Sequence, residues 1–129
     1  MSIAIHHLCI MKKTVVIGAS TNPDRYSNKA IRALVANGIE TYALGLKSGE
    51  VAGVAITHSP PSTDGINTVS LYVGPSNQEA WVDTILALNP NRILFNPGTE
   101  NPELELFFKE KGIKTEHACT LVLLSTHQY

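Results

Sequence analysis

The feature that most constrains the fold is a regular alternation of short apolar segments with longer segments of helical periodicity. Segments with the length and the β-branched composition of buried strands occupy residues 13–18, 39–46, 68–73, 92–96 and 113–118. A shorter strand is expected within 51–59, after a turn at 47–50, and 119–126 fits either a short helix or another strand. This alternation predicts an α/β fold with a mainly parallel sheet of five to six strands and helices on both faces.

The first helical segment, 27–38, has signals at both of its ends. Ser27 is a candidate N-cap, because its hydroxyl can accept a hydrogen bond from a backbone N–H of the first turn. Gly38 follows the last periodic residue and is typical of a helix end. The apolar stripe of this helix is expected to contain Ala30, Ile31, Leu34 and Val35.

Two further segments are predicted to be helices. In 76–89, Ser76 and Glu79 have the spacing of a capping box. In 101–112, Asn101 is a candidate cap, with a proline in the first turn and a glycine past the end. Both segments follow predicted strands, as the crossovers of a parallel sheet require.

The composition describes one ordinary globular domain. The chain has 129 residues, of which 43% are apolar and 16% charged, with ten basic and eleven acidic side chains. A chain of this length can form a core without disulfides or metals. Its two cysteines lie outside any CxxC pattern, which favours free thiols in a reducing cytoplasm. Since no basic run occurs, nucleic acid is not expected as a partner.

The opening MSIAIHHLCI is apolar but lacks the basic start and the cleavage site of a signal peptide. It is shorter than the roughly 20 residues that a membrane-spanning helix needs, so no membrane attachment is expected. Because Met11 directly precedes the first clear strand, we expect 1–10 to be an extension or a misassigned start and 11–129 to be the domain. The adjacent His6 and His7 point to different faces, so no metal site is predicted.

The loop between the first strand and the first helix has the chemistry of a phosphate site. Gly18 and Ala19 allow a ligand to approach the backbone closely. The following helix offers unpaired N–H groups and the positive end of its dipole. Further donors are the side chains of Ser20, Asn22, Arg25 and Asn28. The alternative is a polar loop without a ligand, since strands often end in glycine.

The end of the second strand restricts the ligand further. Proteins that bind NAD place a carboxylate about 20 residues after the glycines, where it accepts hydrogen bonds from the adenosine ribose. Here the first charged residue in that region is Lys47. A lysine attracts a ribose phosphate, such as the 3′-phosphate of CoA or the 2′-phosphate of NADP, and disfavours plain NAD. The alternative for Lys47 is a solvated residue in a turn.

Three motifs carry a resemblance to a known family: GASTNPDRYSNKAIRALVANG at 18–38, GPSNQEA at 74–80 and NPGTENPEL at 96–104. Cys119 and the threonine after it also fit. From about Lys12 to Cys119, the chain resembles the small stand-alone CoA-binding proteins, which are similar to the amino-terminal domain of the succinyl-CoA synthetase alpha subunit. The resemblance implies a Rossmann-like, three-layer αβα fold that binds CoA or an acyl-CoA across its first two strand–helix loops.

The resemblance also implies roles for particular residues. The first loop would meet the phosphates, Lys47 would lie near the 3′-phosphate, and the loop at 73–75 would flank the nucleotide. The full set expected to bind the cofactor is Gly18, Ala19, Ser20, Asn22, Arg25, Tyr26, Ser27, Asn28, Lys47, Val73, Gly74 and Pro75. Two departures from the family lie beside the expected adenosine pocket. ALGL at 43–46 replaces the usual PVNP, and Tyr26 replaces a common proline.

The leading hypothesis is a cytoplasmic protein that binds CoA or an acyl-CoA without catalysing a reaction, as a carrier, a sensor or a subunit. The resemblance ends before the synthetase domain that carries the phosphorylated histidine, and no catalytic residue is predicted. The alternatives are an NADP-linked oxidoreductase, a thioester-processing enzyme that uses Cys119 with His117, and a partner-binding domain with a degenerate pocket. The sequence leaves a protein partner and a homo-oligomer open.

Overall fold

The structure is a computed structural model that describes residues 12–62 and 64–129, so the expected extension at 1–10 lies outside the described residues. Within these ranges the chain forms seven strands: β1 Thr14–Ile17, β2 Thr41–Leu44, β3 Gly49–Val51, β4 Val54–Thr57, β5 Thr68–Leu71, β6 Arg92–Phe95 and β7 Lys114–His117. Its α-helices there are α1 Tyr26–Ala36, α2 Val82–Leu88, α3 Pro102–Glu110 and α4 Thr120–Ser125. Two 3₁₀ turns precede α2, at Pro75–Asn77 and Glu79–Trp81.

One sheet contains the seven strands of the described chain, in the order β3–β4–β2–β1–β5–β6–β7. Every neighbouring pair is parallel except β3–β4. The predicted α/β, Rossmann-like fold is therefore confirmed. The predicted five to six strands are too few, because part of the expected turn at 47–50 belongs to β3. β3 and β4 form a hairpin through Ala52 and Gly53, which both have positive φ and suit its tight turn.

Helices on both faces of the sheet give the molecule two core layers. Side chains alternate along β1, so that Val15 and Ile17 pack in the layer of α2 and α3, whereas Val16 packs in the layer of α1 and α4. All residues of β1 and β5 are buried. Burial on both faces is typical of central parallel strands and sets the carboxyl ends of these strands firmly in place.

α1 begins at Tyr26, with Arg25 in the N-cap position and no side-chain cap. The prediction of Ser27 as the cap is therefore wrong, since this residue lies inside the helix and is only 4% exposed. Gly38 ends the helix as predicted, with a φ of +75° and its N–H donating to the carbonyl of Val35. Val35 lies outside the apolar stripe, because 37% of it is exposed.

The predicted helix 76–89 is wrong in its first half. The chain there forms the two 3₁₀ turns, held by hydrogen bonds such as that from the Trp81 N–H to the Gln78 carbonyl. No side-chain cap forms at either turn or at α2, so Ser76 and Glu79 do not make the expected capping box. Regular α-helix begins only at Val82.

Two further predictions concern the N-cap of the helix α3 and the segment 119–126. Asn101 caps α3 as predicted, since its Oδ1 accepts from the Leu104 N–H at 3.3 Å. The ambiguous segment 119–126 forms a short helix, α4, rather than a strand. This helix completes the helical layer on the α1 face of the sheet, because Leu124 belongs to the same core cluster as Ile31 and Leu34 of α1.

A buried polar cluster joins β5 and β6 to α4. Asn96 donates through Nδ2 to the Ser70 hydroxyl at 3.0 Å and the Leu71 carbonyl at 2.9 Å, and its Oδ1 accepts from the Thr120 N–H at 2.9 Å. The hydroxyls of Ser70 and Thr120 bond to each other at 2.7 Å. Beside them, the Tyr72 hydroxyl is buried without a hydrogen-bond partner in the described part of the chain. Burial raises the pKa of Tyr72 to about 12.

We predict that Tyr72→Phe makes the protein less sensitive to alkali. The folded-state pKa lies above the ordinary value, so this tyrosine stabilises the fold below pH 10 and loses that contribution as pH rises toward 12. Between about pH 9 and about pH 11, the variant should lose about 1 kcal/mol less free energy of unfolding than the parent. Denaturant titrations at both pH values measure the difference.

The matched control is Tyr26→Phe, because Tyr26 is 67% exposed. Its loss of stability over the same interval should equal that of the parent. Equal losses for the parent and Tyr72→Phe would contradict the prediction.

Candidate functional site

The carboxyl ends of β1, β2, β5 and β6 meet at one edge of the sheet, below a cleft of about 990 Å³. The four loops that follow these strands line the cleft, as expected for ligand sites in α/β folds. The predicted site residues among its lining are Gly18, Ala19, Ser20, Arg25, Tyr26, Ser27, Lys47, Val73 and Gly74. The structure brings these nine together, whereas Asn22, Asn28 and Pro75 are outside the lining.

Gly18 sits where the first loop passes the end of β5. Its φ is +96°, and a Cβ at this position would lie 2.9 Å from the backbone carbon and oxygen of Tyr72. The N–H groups of Gly18 and Ala19 both donate to the Leu44 carbonyl at 2.9 Å. These two amides are therefore used inside the fold, so they are not free donors for a phosphate.

Free donors lie further along the same loop. Within the described chain, the backbone N–H groups of Ser20, Thr21, Tyr26 and Ser27 have no hydrogen-bond partner. The last two belong to the first turn of α1, where unpaired N–H groups and the helix dipole favour an anion. The residues that line the cleft thus carry four unpaired backbone N–H groups, and those of Gly18 and Ala19 are not among them.

Two predicted ligand residues hold the loop in shape. The Asn28 side chain donates to the Ser20 carbonyl at 2.8 Å, and this residue is only 1% exposed. Asn22 accepts through Oδ1 from the Asp24 N–H at 2.9 Å, and its own N–H donates to the Ser20 hydroxyl at 3.1 Å. Both side chains bond within the loop and hold its shape, although Asn28 Oδ1 is buried without a hydrogen-bond partner in the described chain.

Cations outnumber carboxylates at the cleft. Arg25 and Lys47 line it from the first and second loops, and both are exposed. Asp24 is the one carboxylate among its described lining residues. A guanidinium can bind a phosphate through two parallel hydrogen bonds and an ammonium acts as a point charge. The balance of charge therefore suits a ligand with more than one anionic group.

The departure from the family at 43–46 has a steric reason in this structure. A Cβ on Gly45 would lie 2.6 Å from the Ala19 carbonyl oxygen, and a Cβ on Gly49 would collide with the Thr21 side chain. The loop after β2 and the start of β3 thus pack directly against the first loop, and a glycine at each point allows this close contact. The segment ALGL is therefore compatible with an ordered cleft and does not by itself indicate a degenerate pocket.

Gln78 is a residue of the site region that the sequence analysis missed. It is 2% exposed, and its side chain donates to the carbonyls of Val73 and Thr99. It thereby connects the loops after β5 and β6, which both line the cleft. No local signal could reveal this role, because Thr99 is distant in sequence and the residue lies within a segment predicted as an ordinary helix.

The catalytic and metal alternatives do not assemble at the cleft. Cys119 is a half-buried free thiol before α4, and the His117 ring bonds through Nε2 to Glu105 at 2.5 Å. Neither residue is among the lining residues. In the part of the chain that the structure describes, no group of three metal-ligating side chains and no helix able to cross a membrane is found. His6 and His7 lie outside that part.

Fold and cleft together define a Rossmann-like domain with a site for an anionic ligand. The family model described as a CoA binding domain matches residues 12–125. This chain therefore belongs to the CoA-binding domain family, and the resemblance seen in its motifs is confirmed. No match to a protein of curated function was found.

Several solved structures have the same fold. The crystal structure of an uncharacterized protein is 44% identical and covers 92% of this chain and 98% of its own, with a TM-score of 0.88. A hypothetical protein from Pyrococcus horikoshii OT3 is 24% identical over 98% of this chain and 91% of its own, with a TM-score of 0.82.

A larger enzyme contains a similar domain. The dinucleotide forming acetyl-coenzyme A synthetase 1 of Ca. Korarchaeum cryptofilum, in complex with phosphate and ADP, is 17% identical, with a TM-score of 0.68. The match covers 88% of this chain but only 27% of the synthetase. At this identity the likeness concerns the fold alone.

We predict that Gly18→Ala destabilises the protein more than Gly53→Ala does. Both glycines have positive φ, +96° and +83°, but the space around Gly53 is open, whereas a Cβ on Gly18 meets the backbone of Tyr72. The conformational cost of about 1 kcal/mol is common to both, and the clash should add about 2 kcal/mol at Gly18. Denaturant unfolding of the two variants measures the difference. Equal losses would show that the close approach to Tyr72 costs nothing.

Proposed function

We propose that this protein binds CoA or an acyl-CoA in the cleft, in the cytoplasm, and that it catalyses no reaction by itself. It then acts as a carrier, a sensor or a subunit whose partner supplies the chemistry. The observation that carries the proposal is the convergence of Arg25, Lys47 and the free N–H groups of Tyr26 and Ser27 on one cleft. Membership of the CoA-binding domain family supports CoA as the ligand.

The groups of CoA fit the cleft in an order that follows the strands. The diphosphate fits the start of α1, where two free N–H groups and the Arg25 guanidinium supply donors. The 3′-phosphate fits Lys47, which follows the neighbouring strand β2. Leu46 is 83% exposed at the same end and offers an apolar surface for the adenine ring. A cleft of about 990 Å³ is large enough for an extended ligand.

Binding without catalysis is supported by what lies outside the cleft. A thioester-processing enzyme would need Cys119 activated by a base, yet His117 bonds to Glu105 and neither member of the pair lines the cleft. An NADP-linked oxidoreductase would in addition need a surface that holds its second substrate. These observations favour a ligand-binding module that works with a protein partner.

The first test is a calorimetric titration with CoA, dephospho-CoA, NADP and NAD. We predict the tightest binding for CoA and the weakest for NAD, because only CoA and NADP carry a ribose phosphate opposite Lys47. Trp81 gives a second readout, since it is the one tryptophan of the sequence and lines the cleft. Tightest binding by NADP would favour the oxidoreductase, and no binding of CoA at millimolar concentration would refute the proposed function.

The second test isolates the 3′-phosphate. We predict that Lys47→Gln weakens binding of CoA by roughly tenfold and leaves binding of dephospho-CoA unchanged, because only the first ligand loses an ion pair. Lys109→Gln is the matched control, since Lys109 is also exposed but lies on α3, away from the cleft. Should the parent bind CoA and dephospho-CoA equally well, the role given to Lys47 is wrong while the rest of the site stands.

A further inference from the structure

One wall of the cleft is made of two loops that are far apart in sequence. Val73 and Gly74 come from the loop after β5, and Pro97, Gly98 and Thr99 come from the loop after β6. Backbone hydrogen bonds organise each loop within itself, such as that from the Thr99 N–H to the Asn96 carbonyl at 3.0 Å. Side-chain hydrogen bonds from Gln78 connect the two loops to each other.

Gln78 uses both N–H donors of its amide, and also its oxygen, for this connection. Nε2 donates to the Val73 carbonyl at 2.9 Å and to the Thr99 carbonyl at 2.7 Å, and Oε1 accepts from Asn101 Nδ2 at 3.1 Å. The opposite orientation of the amide would place its oxygen against two carbonyl oxygens, so the observed one is strongly preferred. Gln78 is only 2% exposed, so these bonds are shielded from solvent.

The connection decides where two carbonyl dipoles point. Val73 and Thr99 line the cleft, and their carbonyl oxygens accept hydrogen bonds from the amide of Gln78, a residue that does not line it. A carbonyl oxygen turned toward a phosphate or another anionic group would repel it. Gln78 thus removes two partial negative charges from a cleft whose chemistry suits anions.

We propose that Gln78 is the positioning residue of this wall, holding the loops after β5 and β6 in the conformation that accepts the ligand. The inference rests on the proposed binding of CoA and adds a residue that touches no ligand itself. Asn101 extends the connection to α3, because this N-cap both donates to Gln78 and accepts from the Leu104 N–H. The wall is therefore anchored to a helix as well as to two strands.

The test compares Gln78→Glu and Gln78→Met with the parent by calorimetric titration with CoA. Glutamate keeps the size of the side chain but, when ionised, presents only acceptors to two carbonyls. At about pH 9, the dissociation constant for CoA should rise roughly tenfold or more in both variants, because buried hydrogen-bonding groups lose their partners. Circular dichroism checks that the variants are folded, and their unfolding midpoints are measured in parallel.

A pH series separates positioning from a loss of stability. For Gln78→Glu, the ratio of variant to parent dissociation constant should fall as pH is lowered to about 5, because a protonated carboxyl donates again to one carbonyl. For Gln78→Met the ratio should stay constant. The other titratable groups of the chain, Glu79, Glu100, Glu105 and His117 among them, are the same in all three proteins, so the ratio isolates position 78.

Gln128→Glu is the matched control, because it replaces an amide by a carboxylate in the same way, at an exposed residue that does not line the cleft. It should bind CoA like the parent. The inference is overturned if both Gln78 variants bind CoA within about twofold of the parent, even when their unfolding midpoints fall. If Gln78→Glu does not fold, the same criterion applies to Gln78→Met. A parent that does not bind CoA refutes the proposed function itself, which is a different result.

Discussion

The close approach of Gly18 to the backbone of Tyr72 is the constraint on which the site depends. Because Gly18 has no Cβ, the chain can leave β1 at a positive φ and pass close to the backbone of Tyr72, which directly follows the neighbouring strand β5. Two consecutive amides, those of Gly18 and Ala19, then donate to the single carbonyl of Leu44. This pair of bonds fixes the first loop against β2 and so determines which later amides face the cleft.

The site separates structural groups from groups available to a ligand. Asn22, Asn28 and Gln78 each make side-chain hydrogen bonds within the protein, and these bonds shape the loops. Arg25 and Lys47, in the loops after β1 and β2, remain exposed. Backbone donors that are already ordered, together with cations that line the same cleft, lower the cost of binding a polyanion, because little of the protein has to be ordered by the ligand.

Much of the fold could be predicted because its signals are local. Central strands are marked by continuous β-branched runs, and the ends of α1 and α3 by Gly38 and Asn101, whose conformation and hydrogen bonds involve neighbours within a few residues. The hairpin of β3 and the 3₁₀ turns before α2 were not predictable in this way. Gly49–Val51 has no apolar alternation, and the turns occur in a segment with ordinary helical spacing.

The sequence by itself determined that a glycine loop precedes a helix and that the first charge after the second strand is a lysine, Lys47, and not a carboxylate. Only the tertiary structure decided which donors in the loops at the cleft are free. In the folded chain, the amides of Gly18 and Ala19 donate to the Leu44 carbonyl, and the Asn28 side chain donates to the Ser20 carbonyl. The Gln78 side chain links two loops. The reason is that hydrogen-bond partners across strands are chosen by packing in space, which periodicity along the chain does not record.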